Sequence, residues 1–280
     1  MFQDYIKIAT QQLLPKRILT SFAGLMANAK IPAVKNFLIR RFIEVYQVNM
    51  QEAQFETSEE YACFNDFFIR QLKPSCRPLG GSGILSPVDG FISEFGTIEK
   101  GMLLQAKGRH YSVSELLNDH SNEVNAFEGG QFATLYLSPK DYHRIHMPLD
   151  ARLKYAVYVP GKLFSVQPSC ARLIPRLFNR NERLVLFFET KIGLMAMVLV
   201  GATIVGSIAT KWHGELPRKR HTYVLKDVFS NLEIKQGEEM GYFKLGSTVI
   251  LLFSAETPIE WLGHLNAGTP LRYGENLANL

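Results

Sequence analysis

An uncharged run of 19 residues between Lys191 and Lys211 constrains the fold more than any other part of the chain. Its length admits a single membrane-spanning helix. Three glycines interrupt the run, however, and many of its other residues are β-branched, which favours strands over a helix. The run divides into LMAMVLV, the pair GA and TIVGSIA. This pattern predicts two buried strands joined by a tight turn, and therefore the core of a sheet.

Short strand patterns also fill the rest of the chain after residue 84. Apolar, β-branched and aromatic residues are separated by turn signals every several residues, as in an antiparallel sheet. The predicted strand segments are 131–138, 153–161, 183–190, 192–209 and 241–254. Residues 2–48 instead carry apolar residues at helical spacing, interrupted by prolines. The predicted class is α+β, with N-terminal amphipathic helices followed by a mostly antiparallel β domain.

The two regions differ in charge as well as in pattern. The chain has 31 basic and 26 acidic residues, a net charge of +5, and residues 1–46 hold seven basic and two acidic side chains. The whole excess therefore lies at the N-terminus, which suits a surface of phosphates. Helices packed on the domain with solvated lysines are the alternative. Proline and glycine in PSCRPLGGSG mark a boundary, so we expect a helical membrane-associating region at 1–75 and a β-rich domain at 76–280.

Three segments carry residue types that catalysis uses. Asp89 lies in the turn sequence SPVDG, His143 and His146 lie in YHRIHMP, and Ser247 lies in LGST before an apolar strand. The segment SPKD before the histidines is typical of a helix N-terminus, and one helical turn would bring both histidines to one side. Each residue alone is common in turns, and two histidines without a third ligand indicate a metal site only weakly. An acid, a base and a serine are the ingredients of nucleophilic catalysis, but sequence spacing does not show that they meet.

Seven short segments occur together in a fixed order along the chain. They are FNDFFIRQLKP (64–74), SPVDG (86–90), YHRIHMP (142–148), GKLFSV (161–166), NER (181–183), VGATIVGSI (200–208) and LGST (245–248). On these segments, from about residue 60 to its end, the chain resembles the phosphatidylserine decarboxylases of the bacterial, pyruvoyl-dependent type. The motifs around the four candidate residues are very specific in combination.

The resemblance implies that the chain makes its own prosthetic group. Ser247 attacks the carbonyl carbon of Gly246, the amide becomes an ester, and elimination and hydrolysis split the chain. The products are a β chain, 1–246, and an α chain, 247–280, on which Ser247 has become an N-terminal pyruvoyl group with release of ammonia. Glycine before the nucleophile tolerates a strained approach because it has no Cβ.

The resemblance also assigns roles to the other candidate residues. It makes His146 the base that acts on the serine, and Asp89 the acid that orients this histidine and stabilises its charged form. The pyruvoyl carbonyl then forms a Schiff base with the amine of phosphatidylserine, carbon dioxide leaves, and phosphatidylethanolamine is released. His143 is the candidate proton donor or carboxylate contact. The family uses neither a metal nor pyridoxal phosphate.

The implied substrate is an anionic lipid, which gives the basic N-terminus a partner. We expect a peripheral protein on the cytoplasmic side of the cell membrane, bound through residues 1–46. The absence of a secretory signal pattern and three sparse cysteines agree with a reducing compartment. The two chains would form a heterodimer, and a further homo-oligomer stays open. No nucleic-acid-binding motif is present.

Two alternative functions remain. One is a serine hydrolase or peptidase that uses Asp89, His146 and Ser247 on an external substrate, and the other is a non-catalytic lipid-binding module.

Overall fold

The computed structural model describes residues 24–118, 123–202, 207–225, 232–244 and 247–280. The longest helix lies near the N-terminus, and antiparallel strands dominate the rest, so the α+β class is confirmed. Besides the helical residues 24–27, the α-helices of the described residues are α1 (Pro32–Tyr46), α2 (Phe64–Phe68), α3 (Val113–Leu117), α4 (Pro168–Leu173) and α5 (Leu177–Arg180). Short 3₁₀ helices lie at Ser58–Glu60, Pro74–Cys76 and Val124–Phe127.

The strands are named in chain order. They are β1 (Ile84–Leu85), β2 (Gly90–Thr97), β3 (Met102–Ala106), β4 (Arg109–Ser112), β5 (Gln131–Leu137), β6 (Arg144–His146), β7 (Ala151–Val159), β8 (Arg183–Thr190), β9 (Gly193–Val200), β10 (Ile208–Thr210), β11 (Gly214–Glu215), β12 (Tyr223–Leu225), β13 (Glu233–Ile234), β14 (Glu239–Phe243), β15 (Ser247–Phe253), β16 (Glu260–Trp261), β17 (Pro270–Leu271) and β18 (Asn276–Asn279).

A nine-stranded sheet forms the centre of the part of the chain that the structure describes. Its order is β12-β7-β8-β9-β15-β5-β2-β17, and β13 also pairs with β7. Both faces of this sheet are buried, as β15 illustrates: Val249 and Leu251 belong to one hydrophobic cluster, and Ile250 and Leu252 to another. Residues of the smaller sheets β11-β10-β14-β6 and β1-β18-β16 join the first cluster. The β3-β4 hairpin and α3 to α5 cover the second face.

The uncharged run forms two buried strands, as predicted, but the two strands do not pair. β9 is bonded on its two edges to β8 and β15, whereas β10 lies in the smaller sheet between β11 and β14. Because both edges of β9 are already paired, β10 needs another partner. The connecting residues 203–206 lie outside the described part of the chain. Among the described residues, no helix is both long and apolar enough to cross a membrane.

The N-terminal helices have a hydrophobic cluster of their own. Pro32 occupies the first turn of α1, where its missing N–H costs nothing. The α1 residue Ile39 is fully buried, and the ring of Phe42 packs within 5.2–5.9 Å of the α2 rings of Phe64, Phe67 and Phe68. The last turn of α2 brings this cluster against the histidine segment of the β domain, because the Phe68 ring contacts His143.

Candidate active site

Ser247 begins β15, where the chain passes from the smaller sheet to the nine-stranded sheet. It pairs with Leu137 at the end of β5. Its side chain is fully buried, and its Oγ has no hydrogen-bond partner among the described residues. A buried hydroxyl without a partner costs about 1–3 kcal/mol, so packing alone does not explain a serine here. Gly246, the other residue of the predicted cleavage site, lies outside the described residues.

The segment SPKD forms a turn, so the prediction of a helix at this point was wrong. The Ser138 N–H donates to Oδ2 of Asp141 at 2.7 Å, and the Asp141 N–H donates to the Ser138 carbonyl at 3.0 Å. Aspartate competes with helix formation by such local bonds. The chain then becomes extended, and β6 pairs with β14. In extended backbone, side chains three residues apart point to opposite sides, so His143 and His146 do not share a side.

His143 lies in the interior between this turn and α2. Its Nδ1–H donates to the Asp141 carbonyl at 2.8 Å, and its ring centroid is 4.2 Å from that of Phe68. This bond leaves the lone pair on Nε2, for which the described structure supplies no donor. Burial lowers the pKa of His143 to about 3. The imidazole is therefore neutral at pH 7 and presents an unpaired, buried proton acceptor.

His146 is held on three sides. Its Nδ1–H donates to the Gly237 carbonyl at 2.9 Å, and the Tyr142 hydroxyl donates to its Nε2 at 3.1 Å. The ring of Tyr273 stacks on the imidazole at 3.8 Å with an angle of 6° between the planes. Burial lowers the pKa of His146, and the negative charge of Asp89 is among the effects that oppose this shift. These contacts fix the neutral tautomer whose Nε2 can accept a proton.

Asp89 is positioned by a glycine and an arginine. Gly90 has φ +149°, and a Cβ at this residue would lie 2.1 Å from the Tyr136 carbonyl oxygen, so only glycine fits after the aspartate. The guanidinium of Arg77 donates to both carboxylate oxygens of Asp89, with the Nε bond at 3.1 Å. The Tyr273 backbone N–H donates to Oδ1 at 2.8 Å. The carboxylate is thus buried, and both of its oxygens accept charge-assisted hydrogen bonds from Arg77.

Tyr273 connects Asp89 to His146, since its N–H binds the carboxylate and its ring covers the imidazole. In this structure the hydrogen bond that orients His146 is donated by its Nδ1–H to the Gly237 carbonyl, and Asp89 acts on the histidine through its charge. Sequence reasoning did not identify the contributions of Gly237, Tyr273, Tyr142 and Arg77. Tyr142 lies inside the motif YHRIHMP and Arg77 lies close to SPVDG, whereas nothing near Tyr273 in the sequence indicates its role.

The site therefore contains a buried serine hydroxyl at the start of β15, two buried imidazoles and a bound carboxylate. The His143 carbonyl accepts a backbone hydrogen bond from Phe243, the last residue of β14, whereas His146 pairs with Glu239 at the other end of that strand. A family model described as phosphatidylserine decarboxylase matches residues 64–279, which include every one of these groups. This chain belongs to the phosphatidylserine decarboxylase family. A second family model, described as PSD, matches residues 6–47 at the N-terminus. The decarboxylase match spans the whole β domain and α2.

Curated relatives agree with this family over the full length. The chain is 56% identical to the phosphatidylserine decarboxylase proenzyme of Legionella pneumophila strain Lens over 280 residues, 99% of each chain. It is 49% identical to the proenzyme of Acidovorax ebreus over 278 residues, 99% of this chain and 98% of the relative. It is 46% identical to that of Bordetella avium, over 99% of this chain and 95% of the relative. The relatives are named as proenzymes of this decarboxylase.

Proposed function

We propose that this protein is a phosphatidylserine decarboxylase that matures by cleaving its own chain between Gly246 and Ser247. The observation that carries the proposal is the fully buried Ser247 hydroxyl without a partner, at the break between β14 and β15. The proenzyme names of the relatives support a precursor that must be processed. The enzyme converts phosphatidylserine to phosphatidylethanolamine and carbon dioxide.

In the cleavage reaction, His146 serves as the base. Its Nε2 lone pair faces the Tyr142 hydroxyl in the present arrangement, so Tyr142 must yield this position when the serine proton is taken. Ser247 Oγ attacks the carbonyl carbon of residue 246, the peptide bond becomes an ester, and elimination and hydrolysis release the new end of the chain. Asp89 stabilises the imidazolium that forms, because its charge favours the protonated histidine.

The pyruvoyl group derived from Ser247 supplies an electrophilic carbonyl that takes up the electrons left by departing carbon dioxide. The site fits such a group, because Ser247 is buried among apolar strands and its neighbourhood excludes water. His143 moves protons in this reaction. Its Nε2 is unprotonated at rest. It takes up the proton that the substrate ammonium loses only once the negative charges of the bound substrate raise its pKa, and it later returns this proton to the α carbon.

The mass of the denatured protein tests the proposal directly. We expect two species in place of one chain of 31.7 kDa. The smaller species should contain the 34 residues from Ser247 onward, roughly 4 kDa by proportion, and should be lighter than its serine form by one ammonia. A single chain that decarboxylates nothing but reacts with acylating probes would instead indicate a serine hydrolase.

The region 1–75 is proposed to hold the enzyme on the cytoplasmic face of the cell membrane. Large apolar side chains of α1 and its flanks are exposed: Leu25 (75%), Ile31 (61%), Phe37 (68%) and Val45 (52%). Phe37 and Val45 lie eight residues apart on α1, on the side opposite the buried Ile39. An exposed apolar stripe on a basic helix suits the boundary between lipid head groups and acyl chains.

Several positive charges of the N-terminal region are paired within the protein, so we expect them to contribute less to membrane binding. Lys35 is buried, and its ammonium donates to the carbonyls of Ser58 and Glu59. Arg40 and Arg41 form ion pairs at the surface. The remaining basic residues before Lys30 lie outside the described residues. The apolar stripe therefore carries more of the expected membrane affinity than charge counting suggests.

The double substitution Phe37→Ser and Val45→Ser should weaken binding to vesicles that contain phosphatidylserine. Losing two inserted apolar side chains is expected to reduce the partition coefficient by at least about tenfold. Sedimentation with vesicles at low and high salt measures the change. Val224, 46% exposed on β12, offers a matched control as Val224→Ser. An equal loss of vesicle binding in both variants, or no loss in either, would contradict a role of α1 in membrane binding.

A further inference from the structure

Three cations near the site are already neutralised. Arg77, Arg144 and Lys244 each form an ion pair with a carboxylate. Their partners are Asp89 and Glu52, Glu239, and Glu215, respectively. Arg144 and Lys244 are the cations closest in sequence to the catalytic residues, but their charges are engaged within the protein. Neither is therefore well placed to bind an anionic substrate.

Arg70 differs from these cations, since its guanidinium is buried, its hydrogen bonds go only to backbone carbonyls, and it lies over the Phe67 ring, 5.5 Å from the ring centroid. Its side chain lies at the end of α2, and the residue is 4% exposed. Nη2 donates to the Lys140 carbonyl at 2.8 Å and to the Asp141 carbonyl at 3.4 Å. Within the described part of the chain, Nε and Nη1 have no hydrogen-bond acceptor. A buried cation with unused donors and no direct carboxylate partner is unfavourable unless an anion satisfies it.

The unused donors of Arg70 lie beside the proposed reaction centre. The Asp141 carbonyl that accepts from Arg70 also accepts from Nδ1 of His143. Phe68, two residues before Arg70, contacts the imidazole ring. His143 Nε2 and Arg70 Nε and Nη1 are thus neighbouring buried groups, and all three lack partners within the described residues. Arg70 and His143 also lie next to α2, which packs against α1 in the region proposed to bind the membrane.

We propose that Arg70 binds the phosphodiester of the lipid head group; this rests on the proposed function. The substrate offers two anions, a carboxylate and a phosphodiester. A cation against the carboxylate would stabilise the charge that the reaction removes and would slow it. The phosphodiester keeps its charge throughout, so binding it positions the substrate without opposing the chemistry. Arginine is well suited to phosphate oxygens.

The substitution Arg70→Gln tests this assignment in the processed enzyme with soluble, short-chain phosphatidylserine. We expect KM to rise by about 10–100-fold, the loss of one or two charge-assisted hydrogen bonds, with little change in kcat. The inhibition constant of glycerophosphoglycerol, a phosphodiester without amine or carboxylate, should rise in parallel. That of O-methylserine, which has a carboxylate and no phosphate, should not change. Arg109→Gln, at an exposed arginine on β4, is the control.

Two results would overturn the assignment: an unchanged KM, or a shift in the O-methylserine constant in place of the glycerophosphoglycerol constant. Because Arg70 also bonds the histidine turn, Arg70→Gln could fail to fold. Arg70→Lys keeps one cationic donor for the Lys140 carbonyl, and it should be cleaved normally yet show the same rise in KM.

Wild-type enzyme provides a measurement that needs no variant. Glycerophosphoglycerol should raise its melting temperature in a concentration-dependent manner, and the absence of any such rise would also refute the site. Failure of the proposed function would look different, because the wild-type chain would then be neither cleaved nor active.

Discussion

A chain with alanine in place of His146 should remain a single polypeptide of 31.7 kDa. His146 is the imidazole whose tautomer is fixed by Gly237 and whose Nε2 lone pair is oriented by Tyr142. Without it, the weakly acidic hydroxyl of Ser247 has no proposed base, and cleavage should slow by at least about 10²–10⁴-fold. Time-resolved gel electrophoresis of freshly synthesised protein measures the rate. Phosphatidylserine decarboxylation should be lost with it, since the pyruvoyl group would not form.

Controls separate this chemical effect from a loss of folding. His110 is exposed, so His110→Ala should process at the normal rate. Asp89→Asn removes the charge that opposes the lowered pKa of His146 and should slow cleavage as well. Burial keeps that pKa below 6.5, so His146 is neutral at pH 7, and cleavage should slow only as the pH falls below the lowered value. Normal processing of a folded His146→Ala protein would remove this histidine from the reaction.

The strands of the β domain could be predicted because they depend on local pattern. The segment 183–190 matches β8 in both bounds, and 131–138 matches β5 to within one residue. Strand pairing was less predictable. Segment 241–254 is divided between β14 and β15, which belong to different sheets, and β9 and β10 are separated in the same way. Which edge of a strand is free depends on all the other strands, so local sequence does not contain this information.

The site residues could likewise be predicted where they depend on neighbours in the sequence, but not where they depend on distant residues. The turn that presents Asp89 is encoded by the following Gly90, whose close approach to Tyr136 excludes a side chain. The partners of Asp89 are harder to predict, because Tyr273 lies 184 residues away in the sequence. The expected orientation of the two histidines failed for a local reason, since Asp141 bonds back to Ser138 and ends any helix there. The turn places the two histidines in separate surroundings, so they are expected to have different chemical roles.

Because His143 has surroundings of its own, we expect its substitution to affect decarboxylation without affecting cleavage. His143→Asn should still be cleaved into two chains, but decarboxylation should fall by about 10²–10⁴-fold in kcat. The asparagine amide can replace Nδ1–H in the bond to the Asp141 carbonyl, so the turn beside Phe68 should persist. The Nε2 lone pair, which is buried and unpaired within the described residues, is lost. Release of labelled carbon dioxide from carboxyl-labelled phosphatidylserine measures the rate.

The reason for a large effect on kcat is the protonation state of His143. Burial lowers its pKa to about 3, so His143 begins as a neutral acceptor and can hold a proton only beside the negative charges of a bound substrate, which raise its pKa. No bulk water contacts this fully buried ring, so removing Nε2 leaves proton transfer without a nearby relay. His264 is exposed, and His264→Asn is the matched control. Full activity of His143→Asn would exclude the relay. A folded but uncleaved His143→Asn protein would instead make His143, with its unpaired Nε2, the base for Ser247, and would reverse the roles of the two histidines.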